Sequence, residues 1–140
     1  MVNILDMKDI RYINLFGQIT GVNTRYCFFY NEFIVFGVPK KLISKAIGKE
    51  ACNIRKMSET LGRKIKVVGN PNDDSKESIR EFVRKIVSPV EFKDLEVTDE
   101  EIILTAGSQS KAALIGWNRR RETELKEIVK DYFKKDLRIV

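Results

Sequence analysis

Histidine is absent from the 140 residues, and with it goes the commonest general base, any Ser-His or Cys-His nucleophile pair and the commonest metal ligand. Most hydrolase hypotheses lose their chemistry at this step. Only two cysteines occur, Cys27 and Cys52. Neither has the paired spacing of a zinc site or a redox motif, so both are expected to be small buried hydrophobes, with a disulfide as the alternative. Long apolar runs are also lacking. Stretches such as Cys27 to Tyr30 and Phe33 to Phe36 fall far short of the roughly 20 residues that cross a bilayer, and the N-terminus has no basic and apolar leader. A cytoplasmic protein with no membrane partner is expected. No paired acid and base, nucleophile or metal set stands out, so neither an enzyme nor a bound metal or cofactor is expected.

What is present suffices for a folded chain: 43% of residues are apolar and 33% charged, outside the profile of disorder. The length fits one ordinary domain or two small ones. Charge is unevenly spread. Residues 1–70 hold 12 Lys and Arg against 5 Asp and Glu, a net +7, whereas residues 71–140 hold 14 against 15, a net −1. Between Lys40 and Lys66 there are nine basic residues and two acidic ones, Glu50 and Glu59. That pattern suits a surface meeting phosphates, and equally a solvated helix face.

Ile47-Gly48 and Ile115-Gly116 lie 68 residues apart. Without a gap, the same offset carries Asn31-Glu32 onto Asp99-Glu100, Ile34-Val35-Phe36 onto Ile102-Ile103-Leu104, Met57 onto Leu125 and Leu61 onto Val129. A weak, consistent repeat of this kind signals tandem units. Only the tail needs an insertion: Lys64 to Val68 matches Arg138 to Val140 after about four more residues, roughly one helical turn.

In the first copy, Asp6 to Ile19 carries Ile10, Ile13, Leu15 and Phe16 near helical spacing, with Gly17 and Gly21 as breakers. Arg25 to Tyr30 and Phe33 to Val38, aromatic and β-branched around Asn31-Glu32, predict a hairpin that Pro39 ends. Leu42, Ile43, Ala46 and Ile47 predict a short helix stopping at Gly48, and Ile54, Met57, Ser58 and Leu61 a second ending at Gly62. Lys64 to Val68 closes the copy as a strand. Beyond the turn-rich Gly69 to Asp74, Asp74 or Ser75 can cap a helix carrying Ile79, Phe82, Val83, Ile86 and Val87. Strands Glu91 to Val97 and Glu101 to Thr105, a short helix Lys111 to Ile115, a long helix with Leu125, Ile128, Val129 and Tyr132, and a last strand Leu137 to Val140 follow. Both copies read α-β-β-α-α-β. The expected fold is α+β, with two domains, 1–70 and 71–140, each a three-stranded sheet covered by helices on one face.

A short helix, a glycine-led tetrapeptide and an immediate second helix bring helix termini and backbone N–H groups to one place, and such a place binds phosphate. Ala46-Ile47-Gly48-Lys49-Glu50-Ala51-Cys52-Asn53-Ile54 and Leu114-Ile115-Gly116-Trp117-Asn118-Arg119-Arg120-Arg121 resemble the G-x-x-G element of KH domains, which clamp about four nucleotides. Helix-first order is similar to the prokaryotic, type II KH fold. Further, Leu15-Phe16, Thr20-Gly21, Cys27, Val35-Phe36, Ala46-Ile47-Gly48-Lys49 and Ile65-Lys66-Val67-Val68 resemble the archaeal branch of NusA transcription termination and antitermination factors. This resemblance implies two tandem KH domains, nascent single-stranded RNA as ligand and RNA polymerase as partner. Where the family has its second glycine, Ala51 and Arg119 stand here.

The residues expected at RNA are Ile47, Gly48, Lys49, Glu50, Ala51, Asn53 and Lys56 in the first copy, and Ile115, Gly116, Trp117, Asn118, Arg119, Arg120 and Arg121 in the second. Lys49 reads as a phosphate contact and Trp117 either as a base-stacking ring or as a cover for apolar surface. With no helix suited to a DNA major groove, single-stranded RNA is expected over duplex DNA, and the first copy is expected to supply most of the attraction. A KH-type ribosome-associated or assembly role, and a protein-interaction module with degenerate loops, remain as alternatives.

Overall fold

In the computed structural model, which describes residues 7–24 and 26–140, the first helix, α1 (Met7–Thr20), stops where its own side chain closes it. The Thr20 hydroxyl donates to the Phe16 carbonyl at 2.7 Å and accepts from the Val22 N–H at 3.0 Å. Gly21 then turns left-handed at φ 72, the usual residue for a helix C-terminus. Asp6 and Arg25, expected to open the helix and the first strand, lie outside the described residues.

Strands β1 (Tyr26–Tyr30) and β2 (Phe33–Val38) pair antiparallel, with Tyr30 opposite Phe33. The two linking residues, Asn31 and Glu32, take φ 50 and φ 67. Positive φ at both centres is the turn whose twist matches a two-residue hairpin. After a 3-10 turn over Lys40–Leu42 come α2 (Ile43–Ile47), α3 (Cys52–Leu61) and β3 (Lys64–Gly69), which pairs parallel to β2. The sheet order is β1-β2-β3. Alternation sends Cys27, Ile34, Phe36, Val38 and Ile65 into one core with Phe16, Val22, Ala46 and Met57. Phe16 and Phe36 stack at 4.3 Å between ring centres; burying a ring of this size stabilises by about 1.5–3 kcal/mol.

The chain divides after Asn70, and the same element order resumes. Helix α4 (Lys76–Val87) is capped by Ser75, whose side chain accepts from the Ser78 N–H, and it buries Ile79, Phe82, Val83, Ile86 and Val87. Strands β4 (Asp94–Val97) and β5 (Glu101–Thr105) pair antiparallel, and β5 pairs parallel with β6 (Asp136–Ile139). Between β5 and β6 lie α5 (Ser108–Ile115) and α6 (Arg120–Phe133). Leu95, Ile102, Leu104, Leu114, Leu125, Ile128 and Val129 are buried.

The extra turn read at the tail of the second copy falls inside α6, which has 14 residues against 10 in α3. Both helices end on a left-handed residue, Gly62 and Lys134. Three expected starts move: β4 begins at Asp94 instead of Glu91, α5 at Ser108 instead of Lys111 and β6 at Asp136 instead of Leu137. The register with β5 begins at Asp94, the Lys93 N–H still donating to the Thr105 carbonyl at 2.7 Å, and the Lys111 N–H already donates to the Gly107 carbonyl at 2.7 Å, so the α5 turn closes one turn earlier. Cys52 corrects a further expectation. It is exposed, being the first residue of α3 and off the buried stripe, whereas Cys27 is buried; both are free thiols. Among the described residues no helix is long and apolar enough to cross a membrane.

Candidate nucleic-acid interface

Helix α2 ends at Gly48, where φ 81 and ψ 169 fall in a region essentially confined to glycine. Glu50 (φ 55, ψ 33) and Ala51 (φ 59, ψ 29) are then both left-handed, and α3 starts at once. In the second unit Gly116 takes φ 75 and ψ 175, Asn118 φ 54 and ψ 30, and Arg119 φ 58 and ψ 24, before α6. The backbone path is thus the same in both loops although three of the four residues differ in type. Each is closed by one bond of 3.2 Å, Ala51 N–H to Gly48 O and Arg119 N–H to Gly116 O.

A second tie repeats with different chemistry. The Asn53 Nδ2 donates to the Lys45 carbonyl at 3.1 Å, and the Arg121 Nη1 donates to the Ala113 carbonyl at 3.1 Å. Each is the second residue of its helix and reaches back to the last turn of the preceding one. These side chains lie directly beneath the glycines: an added Cβ on Gly48 would sit 2.9 Å from Asn53, and one on Gly116 would sit 2.8 Å from Arg121. Asn53 and Arg121, both expected at RNA, thus each also hold the loop through one donor. The sequence signal for this was their shared position in the repeat, obscured because amide and guanidinium share only N–H donors.

The first loop presents Lys49 and Glu50 at its tip, both exposed, with Lys56 and Arg55 exposed on α3 behind it. Ile47 and Ala51 are half-buried and anchor the turn from below. Lys45 lies against the end of α1, close to Gly21, where a cation suits the helix C-terminus. Part of the basic run lies over aromatic rings. Arg63 stands over the Phe29 ring at 5.8 Å, and Lys64 and Lys66 over Phe33 at 5.6 and 5.1 Å. Burial lowers the Lys66 pKa below the ordinary lysine value, since a desolvated ammonium is disfavoured.

In the second loop Trp117, Asn118, Arg119 and Arg120 are exposed, while Ile115 is half-buried. Arg119 donates to Glu122 at 3.1 Å, and Glu122 is only 7% exposed. The i,i+3 spacing was visible in the sequence. Arg120 alone of the three arginines is left without an ion pair or hydrogen bond among the described residues. No group of three or more His, Cys, Asp or Glu among the described residues could hold a metal ion.

Left-handed backbone costs a non-glycine residue about 1–2 kcal/mol. Ala51→Gly should therefore stabilise the first unit, by about 0.5–1 kcal/mol once the greater freedom of glycine in the unfolded chain is subtracted. A urea-unfolding midpoint that falls on this substitution would contradict the strain assigned to Ala51.

Residues 33–114 match the family described as KH domain, from the first residue of β2 to within two residues of Gly116. The chain belongs to the KH domain family. The match takes in one KH domain and contains the whole first loop with its flanking β2, α2, α3 and β3. As a KH loop, this element is of the kind that clamps single-stranded nucleic acid. A probable transcription termination protein NusA of Methanococcus vannielii is 29% identical over 116 residues, covering 80% of this chain and 64% of that protein. Its namesake from Methanocaldococcus jannaschii is 28% identical over 91 residues, 65% of this chain and 47% of that protein. The chain thus spans less than two thirds of either relative's length. The crystal structure of APE1850 shares the fold, with a TM-score of 0.67 and 22% identity over 97% of this chain and all of the other.

Proposed function

We propose that both units are KH modules and that the chain binds single-stranded RNA as a factor acting with RNA polymerase in transcription elongation, termination or antitermination. The observation that carries the RNA-binding reading is the loop backbone: one conformation, led by a glycine whose added Cβ would crowd the side chains beneath it, occurs in both units beside exposed cations. The polymerase partnership rests on the likeness to two NusA-named proteins. Association with ribosomal particles instead of polymerase on co-purification would favour the ribosome-associated alternative.

A titration of single-stranded RNA and duplex DNA oligomers tests the reading. A module that clamps about four nucleotides has a salt slope near −3, so its affinity should fall about fiftyfold between roughly 50 and 200 mM salt. RNA should bind more tightly than the duplex throughout. Exposed Glu50 beside Lys49, and Arg119 paired with Glu122, favour a second reading in which the loops meet protein. Salt-insensitive association would support that one.

A further inference from the structure

Trp117 is 85% exposed, against 45% for Ile10 and 42% for Val140, the other large exposed hydrophobic residues among those described. An indole left in water at a loop tip gives up the burial that ordinarily stabilises it. It does not serve the core here: the half-buried Ile115 and buried Leu114 lie on the other side of Gly116. Its neighbours are cations and an amide, with Arg120 unpaired, Asn118 exposed and Glu122 occupied by Arg119. The equivalent position of the first loop, on the same backbone, is Lys49.

We infer that the two loops grip RNA by different physics: Lys49 engages a phosphate, while Trp117 stacks on an unpaired base next to a phosphate held by Arg120. This rests on the proposed RNA binding and deepens it. A flat ring on a fixed turn meets the π-face of any base, so the contact tolerates sequence and adds little to salt dependence. The cationic surroundings select an anionic strand over an apolar protein surface.

Trp117 is the single tryptophan of the chain, so its emission reports this contact alone. The intact chain is titrated with a labelled RNA oligomer and with the same oligomer made abasic, anisotropy and indole emission being read together. Stacking predicts quenching by the base-bearing RNA and none by the abasic strand. Trp117→Ala should weaken RNA binding roughly 5- to 150-fold at unchanged salt slope, with Trp117→Phe recovering part of the loss. Binding with unchanged emission, or Trp117→Ala binding as tightly as the parent, overturns the inference and leaves RNA binding standing. The second result would assign the exposed indole to a protein partner. No binding of either oligomer overturns the functional reading and this inference with it.

Discussion

Reversing Lys49 and Lys56 to glutamate together is expected to weaken RNA binding by at least about 25-fold at 0.1 M salt. For single strands each phosphate contact contributes about 0.7 to the salt slope, or about fivefold in affinity at 0.1 M relative to 1 M. Two lost contacts multiply to about 25-fold, and the added negative charges repel the strand further. The log–log slope should flatten by about 1.4. The matched reversal in the second unit, Lys111→Glu with Arg120→Glu, should do less. Its loop already holds the Arg119–Glu122 pair, and Glu124 and Glu127 follow on α6, whereas the first loop is backed by exposed Arg55 and Lys56. Arg121 is left out of the comparison because its guanidinium holds the Ala113 carbonyl. If the second pair abolished binding and the first left it intact, the assignment of the dominant unit would be reversed.

Gly48→Ala and Gly116→Ala should each destabilise their unit by about 2–3 kcal/mol. Two causes add. Both glycines occupy backbone that is essentially closed to other residues, at φ 81, ψ 169 and φ 75, ψ 175. A Cβ would also meet Asn53 and the Cys52 Sγ at 2.9 Å in one loop, and Arg121 Cγ and Cβ at 2.8 and 3.0 Å in the other. Relief requires moving the side chains that bond the carbonyls of Lys45 and Ala113. Gly62→Ala is the internal control: it is left-handed at φ 65 but has nothing within 4 Å of the added carbon, so about 1 kcal/mol is expected there. Urea unfolding of the three variants reads the sum of the two effects. Equal losses at Gly48 and Gly62 would show that neither the more restricted torsions of Gly48 nor the crowding beneath it adds to the ordinary left-handed cost.

How much of this was legible beforehand varies with the physics involved. Strand β2 is fully legible, because Phe33 to Val38 runs unbroken between a turn pair and a proline. The extra turn of α6 was legible from the failure of one offset to hold to the end. By contrast, nothing in Glu50, Ala51 or Arg119 announces left-handed backbone, which only Asn118 adopts readily. Those torsions occur beside the ties to the preceding helix, against the local preference of Glu50, Ala51 and Arg119. The basic run is legible, but not that Lys64 and Lys66 share the Phe33 ring, a contact set by strand alternation and register. For the second loop, the i,i+3 spacing of Arg119 and Glu122 is legible, but that the acid is buried and paired is not. The exposure of Trp117, which decides what the ring can do, follows from no pattern in the sequence.

The ties made by Asn53 and Arg121 carry a kinetic consequence. A loop held in its strained path before any strand arrives has already lost the freedom that a mobile loop surrenders on binding, at about 0.5–1.5 kcal/mol for each side chain immobilised. Encounter then needs no prior rearrangement, so arrival of RNA should run at the pace set by diffusion and charge, and substitutions around either glycine turn should register in how long the strand stays.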